Sequence, residues 1–419
     1  MRLAKSLRMA GAFLAALTIP ADSAAQKPQP VLTTVYSFSG ENGDGSGPYS
    51  AVIYTANGTL YGVTAYGGVY NSGTVFELTP PVSGRGWTET ILHSFGGGAD
   101  GAYPYAGMVA GANGVLYGTT NYGGASGMGI VYQLTPPGSS GGGWTETVLH
   151  NFNGGDGAYP YATPALAENG TLYGTTELGG TSDYGAVFQL TPPAGGNGAW
   201  TQTVLYSFSG GNDGCCPYDT PAIAANGALY GTTAAGGSMA RGTVFKLTPH
   251  AGGAWTETVL HNFNGGDGGF PYAGVALGAN GALYGTTAGS VNAGAGSAFE
   301  LRPPLGAGKP WTETTLYKFT GGNDGGAPHA IPSFGPLGTL YGTAFGGGAG
   351  NRFNGSGLLY QLTPPSGTGA WTETVLYVFQ GSDGSSPNAP LIPGPNGVFY
   401  GTTLGGGIFG QGTVFEFMP

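Results

Sequence analysis

The residues able to do chemistry are few, and most of them recur. An aspartate followed by glycine stands at Asp44, Asp100, Asp156, Asp213, Asp267, Asp324 and Asp383, at intervals of 54 to 59 residues. Seven equivalent carboxylates suggest a ring. Each could accept backbone N–H bonds within its own turn, or give oxygen to a calcium site. One carboxylate per loop favours the turn, since calcium gathers roughly six to eight oxygens. His93, His150 and His261 could ligate a metal, yet Tyr36, Tyr206, Tyr317 and Tyr377 fill the same slot elsewhere. A slot that accepts Tyr wants a flat amphipathic ring. Glu89, Glu146, Glu257, Glu313 and Glu373 likewise share a position with Gln202, so their charge is dispensable. No metal and no cofactor is expected.

Residues that break the pattern are better site candidates. A proline is followed by Tyr49, Tyr105, Tyr161, Tyr218 and Tyr272, but by His329 and Asn388 in the last two copies. Further irregular residues are Tyr66, Tyr70, Tyr122, Glu177, Asp183, Tyr184, Arg241, Asn351, Arg352 and Phe353. From these sets, Tyr105, Tyr161, Tyr218, Tyr272, Tyr122, Asp183, Tyr184 and Arg352 are the candidate ligand-binding residues. Tyrosines beside glycine loops suit stacking on sugar rings or gripping a protein, though they could equally pack between neighbouring repeats. Cys215 and Cys216 are the only cysteines. A vicinal disulfide there would fix the loop that carries Tyr218 and Asp219, and nothing basic nearby suggests redox chemistry. No catalytic residue is assigned, because there is no G-x-S-x-G elbow, H-E-x-x-H, phosphate loop or paired zinc cysteines. Two nonrepeating carboxylates such as Glu177 and Asp183 could serve a glycosidase, if they lie roughly 5 to 10 Å apart.

The elements that position these residues follow from the repeat. An L-Y-G core appears at Leu60, Leu116, Leu172, Leu229, Leu283 and Leu340, and again as Phe399-Tyr400-Gly401. Each copy holds four short strand-like runs, a to d, which in the second copy read Tyr105 to Ala112, Val115 to Thr120, Ile130 to Leu134 and Trp144 to Phe152. Asn113-Gly114 predicts a tight turn with both central residues at positive φ, and Pro136-Pro137 ends strand c. Four antiparallel strands repeated seven times predict an all-β, seven-bladed β-propeller. Small residues fill strand a and large ones strand d, as wedge-shaped blades require. The chain opens with a lone strand d, Leu32 to Phe38, and closes with a strand c, Gly412 to Phe417. The N-terminal strand is therefore expected to complete the last blade and close the ring. In such a meander the d-to-a and b-to-c loops share one face.

Residues 1–25 have the form of a secretory signal peptide: Arg2, Lys5 and Arg8, an apolar run from Met9 to Pro20, then Ala21-Asp22-Ser23-Ala24-Ala25. The apolar run is too short to span a bilayer, which needs roughly 20 residues. Residues 26–419 form the propeller. Cleavage removes three of the 11 Lys and Arg and one of the 21 Asp and Glu, leaving eight basic against twenty acidic side chains. Nucleic acid and anionic membrane surfaces are thereby excluded, since both demand a basic patch. Gly accounts for 87 of 419 residues, but at fixed offsets, so the chain is ordered rather than of low complexity.

The motifs L-Y-G-T-T-x-x-G-G, G-T-V-F-x-L-T-P, W-T-E-T-V-L-H-x-F and D-G-x-x-P together resemble the GloVer tandem-repeat family of exported bacterial proteins, over residues 31 to 419. The resemblance implies a repeat scaffold and a variable surface anchor rather than a known reaction. Because strand c runs directly into Pro419, attachment through a C-terminal tail is not expected. Two functions stand open. One is a noncatalytic, secreted or periplasmic monomer that binds a polysaccharide or a cell-surface protein through its d-to-a and b-to-c face. The other is a secreted glycan hydrolase or lyase using carboxylates there. A raised carboxylate pKa in a cleft on that face would favour the enzyme.

Overall fold

The computed structural model describes residues 29–82, 86–138, 141–196, 198–289, 294–306, 308–348 and 355–419. The proposed signal peptide and Arg352 lie outside them. Seven four-stranded antiparallel sheets form the blades of a propeller. Blade 2 shows the pattern: strand a is Met108–Ala110, b is Leu116–Thr120, c is Ile130–Thr135 and d is Thr145–Asn151. The turn between a and b places Asn113 at φ 59° and Gly114 at φ 77°, as Asn-Gly foretells.

The ring closes as the end fragments require. Val31–Ser37 runs antiparallel to Thr413–Met418, pairing Val31 with Met418 and Ser37 with Thr413, and becomes strand d of blade 7. Phe38 follows it into the core with no exposed surface. The open edge of the last strand c is thereby paired.

Strand a is shorter than the sequence suggested. In blade 2 the ladder begins at Met108 rather than Tyr105, because the preceding residues leave the sheet to line the hub. A second feature was not foreseen. Strand d carries a register shift in every blade, at Leu149 in blade 2 and Leu205 in blade 3. One extra residue lets Val148 oppose Tyr132 and His150 oppose Val131, which re-aims the end of strand d toward the adjoining loop.

Dense packing explains the L-Y-G core. Gly118 pairs with Tyr132 of strand c, and a Cβ on Gly118 would come within 2.4 Å of that side chain. The strand-c ring fills the space that the missing side chain leaves, and Phe76, Phe188, Phe245, Phe299, Tyr360 and Phe415 do the same in the other blades. Seven hydrophobic clusters result, joining side chains of neighbouring blades. Strand-d tryptophans cover the seams: Trp144 lies 5.9 Å from Tyr61 and Trp200 5.8 Å from Tyr117, ring to ring.

Hydroxyls latch the blades at the hub. Thr119 Oγ1 donates to the Ala162 carbonyl of the next blade, and Thr175, Thr232, Thr286 and Thr343 repeat the bond. Thr402 extends it across the closure to Ser50. Blade 1 has Val63 at this position.

Candidate functional site

The d-to-a and b-to-c loops do share one face, and short bridges tie them together. Ala102 pairs with Tyr122, Ala158 with Leu178, Cys215 with Ala235, and Gly45-Ser46 with Tyr66-Gly67. All seven loop aspartates accept backbone N–H bonds at the start of their own turns, for example Gly96 N–H to Asp100 at 2.8 Å and Ser209 N–H to Asp213 at 2.8 Å. The following glycine is required where the loop crosses strand b. Gly214 has φ 94°, and a Cβ there would sit 2.1 Å from the Thr233 hydroxyl oxygen.

Each aspartate also meets the His or Tyr slot of strand d. His150 Nε2 and His261 Nε2 lie 3.1 Å from Asp156 and Asp267, and Tyr206, Tyr317 and Tyr377 donate their hydroxyls to Asp213, Asp324 and Asp383. Imidazole and phenol are interchangeable here because each can offer the carboxylate one hydrogen. Burial lowers the three imidazoles below their ordinary value despite the carboxylate. The strand-d glutamate of the next blade lies within electrostatic reach. Burial, then the nearby aspartate, pushes Glu89, Glu146, Glu257 and Glu373 up to about 7. These raised carboxylates sit in repeated seams between blades and line neither cavity of the upper face. Gln202 fills the slot in blade 3, where its amide donates to the Asp156 carbonyl, and Leu32 fills it in blade 7.

The hub is different. The residue after each loop proline turns inward, and the seven residues form a collar around a cavity of about 680 Å³, closed by side-chain contacts and, between Asn388 and Tyr49, by a bond to the main chain. Ring centroids are 4.9 Å apart for Tyr49 and Tyr105, 5.1 Å for Tyr105 and Tyr161, and 5.2 Å for Tyr161 and Tyr218. Tyr218 lies 5.4 Å from Tyr272, and Tyr272 5.5 Å from His329. His329 Nδ1 is 3.0 Å from Asn388 Oδ1, and the Asn388 amide reaches back to the Tyr49 carbonyl at 3.4 Å. The candidates Tyr105, Tyr161, Tyr218 and Tyr272 are thus brought together as neighbours in one ring. Burial, followed by hydrogen bonding to Tyr66 and Glu177 respectively, raises the phenols of Tyr105 and Tyr218, while burial is also the first cause that carries Tyr161 to about 12. They stay protonated donors.

A second, outer row stands just before the prolines. Tyr103, Tyr159, Cys216, Phe270, Ala327 and Ser386 all have φ between 51° and 62°, and Gly47 completes the row at 63°. Bulky residues seldom adopt that conformation, and holding one there costs on the order of 1 kcal/mol. The candidate Tyr122 joins this row, 5.9 Å from Tyr103 and 5.1 Å from Tyr159. Tyr66 bonds Tyr105 hydroxyl to hydroxyl at 2.8 Å. The outer row was missed in the sequence, although an aromatic before proline in three copies was its signal.

The remaining candidates fall elsewhere. Asp183 accepts from the Gly179 N–H within its own loop, and Tyr184 lies over Gly210 of the next loop. Glu177 belongs to the collar instead, accepting from the Tyr218 hydroxyl at 2.5 Å. The two carboxylates proposed for a glycosidase are therefore engaged in separate duties. Asp219, which follows Tyr218 on the cysteine loop, is the one carboxylate lining the hub cavity among the described residues. Its oxygens accept from Thr220 and Gly274 N–H, and burial raises its pKa. Cys215 and Cys216 are unjoined thiols, in contrast to the expected disulfide. Among the described residues no cluster of three metal-ligating side chains occurs.

A family match covers residues 25–145 and 139–321, under the description Gloeobacter/Verrucomicrobia repeat. The chain belongs to that repeat family. No curated protein matches this repeat protein in sequence. Among solved structures it is similar to a putative 6-phosphogluconolactonase from Bacteroides uniformis, with 14% identity and a TM-score of 0.51 over 86% of this chain and 98% of that one. An ancestral GH74 enzyme matches at 12% identity and TM-score 0.49, over 88% of this chain and 47% of that one. A Trypanosoma rangeli sialidase matches at 11% and 0.43, over 93% and 59%. At 14% identity the likeness to the Bacteroides protein speaks for the fold alone.

Proposed function

We propose that this repeat protein is a noncatalytic, exported propeller that binds a polysaccharide through the mouth of its central cavity. The observation that carries the reading is the closed collar of five phenols, one imidazole and the Asn388 amide, ringed by a strained outer row, on the face where the irregular loops gather. Aromatic rings with neutral hydroxyl donors suit the C–H faces and hydroxyls of sugars. Export rests on residues 1–25, whose pattern matches a signal peptide. A hydrolase needs an acid and a base or nucleophile free to face substrate, and Glu177 and Asp183 are already spoken for by Tyr218 and Gly179.

A glycan array on residues 26–419, followed by calorimetry and a reducing-sugar assay on each hit, tests the reading. Saturable binding without release of reducing ends is expected. Tyr105→Ala combined with Tyr161→Ala should weaken binding at least tenfold. Turnover of a hit would favour the hydrolase instead.

A further inference from the structure

The collar has a weak arc. From blade 5 to blades 6 and 7 the outer row drops from Phe270 to the small Ala327 and Ser386, and the inner row passes from Tyr272 to His329 to Asn388. Where the side chains shrink, a second cavity of about 490 Å³ opens on the same face. That size falls in the ordinary range for small-molecule sites, roughly 300 to 1,000 Å³. Phe270, Tyr272 and Phe345 give it aromatic walls.

His329 is held in one orientation and one tautomer. Its ring lies 5.5 Å from Tyr272 and 5.0 Å from Phe345. The Asn388 amide nitrogen donates to the Tyr49 carbonyl, so its oxygen is turned toward His329 and must accept from Nδ1–H. A neutral imidazole that donates through Nδ1 keeps Nε2 as a lone-pair acceptor. Burial keeps the ring neutral by lowering its pKa.

Charge bears on what can enter. Among the described residues the lining holds neither Lys nor Arg, and the hub cavity, which shares Tyr272 and His329 with it, is lined by the carboxylate of Asp219. Sugars bearing carboxylate or phosphate need cationic or clustered N–H partners to replace their water, and the described lining offers no cation beside the acidic Asp219 of the adjoining cavity.

We infer that the cavity at His329 seats one uncharged sugar ring, stacked on Phe270, Tyr272 and Phe345, with a hydroxyl donating to His329 Nε2. This deepens the polysaccharide reading and rests on it.

The test compares matched oligosaccharides that differ only by oxidation at C6: glucan with glucuronan, galactan with galacturonan, mannan with mannuronan. Calorimetry on residues 26–419 should show a neutral member bound at least tenfold tighter than its acidic counterpart. Two variants locate the seat. His329→Phe keeps a ring in the collar but removes the acceptor, and should weaken neutral binding about tenfold while the melting temperature stays within a few degrees. Ala327→Phe copies what blade 5 carries at Phe270, so the backbone tolerates it; it should fill the cavity and abolish binding. Preference for an acidic member overturns the inference and leaves the polysaccharide reading standing. Unchanged neutral affinity in both variants moves the site elsewhere and also overturns it. Absence of binding to every oligosaccharide takes down both.

Discussion

Rim and hub are both sevenfold in sequence, yet they treat the repeat in opposite ways. At the rim one contact is copied from seam to seam: a loop aspartate receives a backbone N–H from the start of its turn and a hydrogen from His or Tyr, with Glu, Gln or Leu of the next blade beyond it. Substitutions among the copies change the donor and keep the geometry. At the hub the equivalent residues differ, and the differences have consequences. Tyrosine packs on tyrosine over blades 1 to 5, edge to face, stacked or tilted, whereas a cavity opens beside His329, Ala327 and Ser386. Repetition therefore marks what the scaffold needs, and its failure marks where a ligand can be received.

The harshest way to break this comparison is to open the ring, since both regions depend on closure. Deleting residues 26–38 removes strand d of blade 7 and the fully buried Phe38. Losing a buried Phe alone costs roughly 3 to 5 kcal/mol, and an unpaired strand edge adds to it. The melting temperature is expected to fall by more than about 10 °C. An unchanged transition would show that the seventh sheet is complete without its N-terminal strand.

A milder test isolates the rim by pH. Glu89, Glu146, Glu257 and Glu373 rise from an ordinary 4.5 to about 7 in the folded protein, so they bind protons more tightly folded than unfolded. Their contribution is complete below pH 4.5 and is lost as pH climbs through 7. His93, His150 and His261 are lowered from 6.5, so their contribution is present above 6.5 and is lost as pH falls. The two sets oppose each other below 6.5, and only the glutamates act above it. Thermal melts from pH 6.5 to 8.5 should therefore decline by several degrees. Replacing all four glutamates with Gln, the residue blade 3 already uses, should flatten that decline. Persistence of the slope in the variant would place its origin elsewhere.

Much of this was legible in the sequence because it is local or periodic. Blade number follows from the spacing of Leu-Tyr-Gly, closure from the unmatched strand at Leu32, and the turn from Asn113-Gly114. What escaped is contact across blades. Nothing near His150 in sequence announces that Asp156 will accept its hydrogen while Gln202 reaches the same loop. The strand-d bulge at Leu149 carries no Gly or Pro to flag it. Tyr105 was identified as a candidate, but its place between Tyr49 and Tyr161 depends on how seven wedges meet at an axis, a property of the whole ring.

A smaller effect sharpens the rim side. Changing His93, His150 and His261 together to Tyr keeps a donor to each aspartate, as Tyr206 and Tyr317 show. The variant should melt within a few degrees of the parent at pH 7.5 and lose less stability on acidification to pH 5. Binding at the hub should not change. A deep loss of stability at neutral pH would mean that imidazole supplies something phenol cannot.

The smallest effect is expected where rim logic reaches the edge of the hub, at Cys215 and Cys216. The loop is held by its backbone: Cys215 and Ala235 exchange both N–H bonds, Cys216 N–H donates to Tyr184, and its carbonyl accepts from Ala234. Every main-chain group of the pair is satisfied without sulfur. A hydrogen bond between the thiols lowers Cys215 and raises Cys216, but neither sulfur anchors the fold. Blade 7 already contains the corresponding serine pair. Ser385 makes the same bridge, to Gly405, and Ser386 has φ 57° against 62° for Cys216. Changing both cysteines to serine should therefore shift the melting temperature by no more than about 2 °C, and the unmodified protein should present two alkylatable thiols. A drop beyond about 8 °C, or a parent mass two hydrogens short of the dithiol, would instead show a covalent staple that the backbone bonds had made unnecessary.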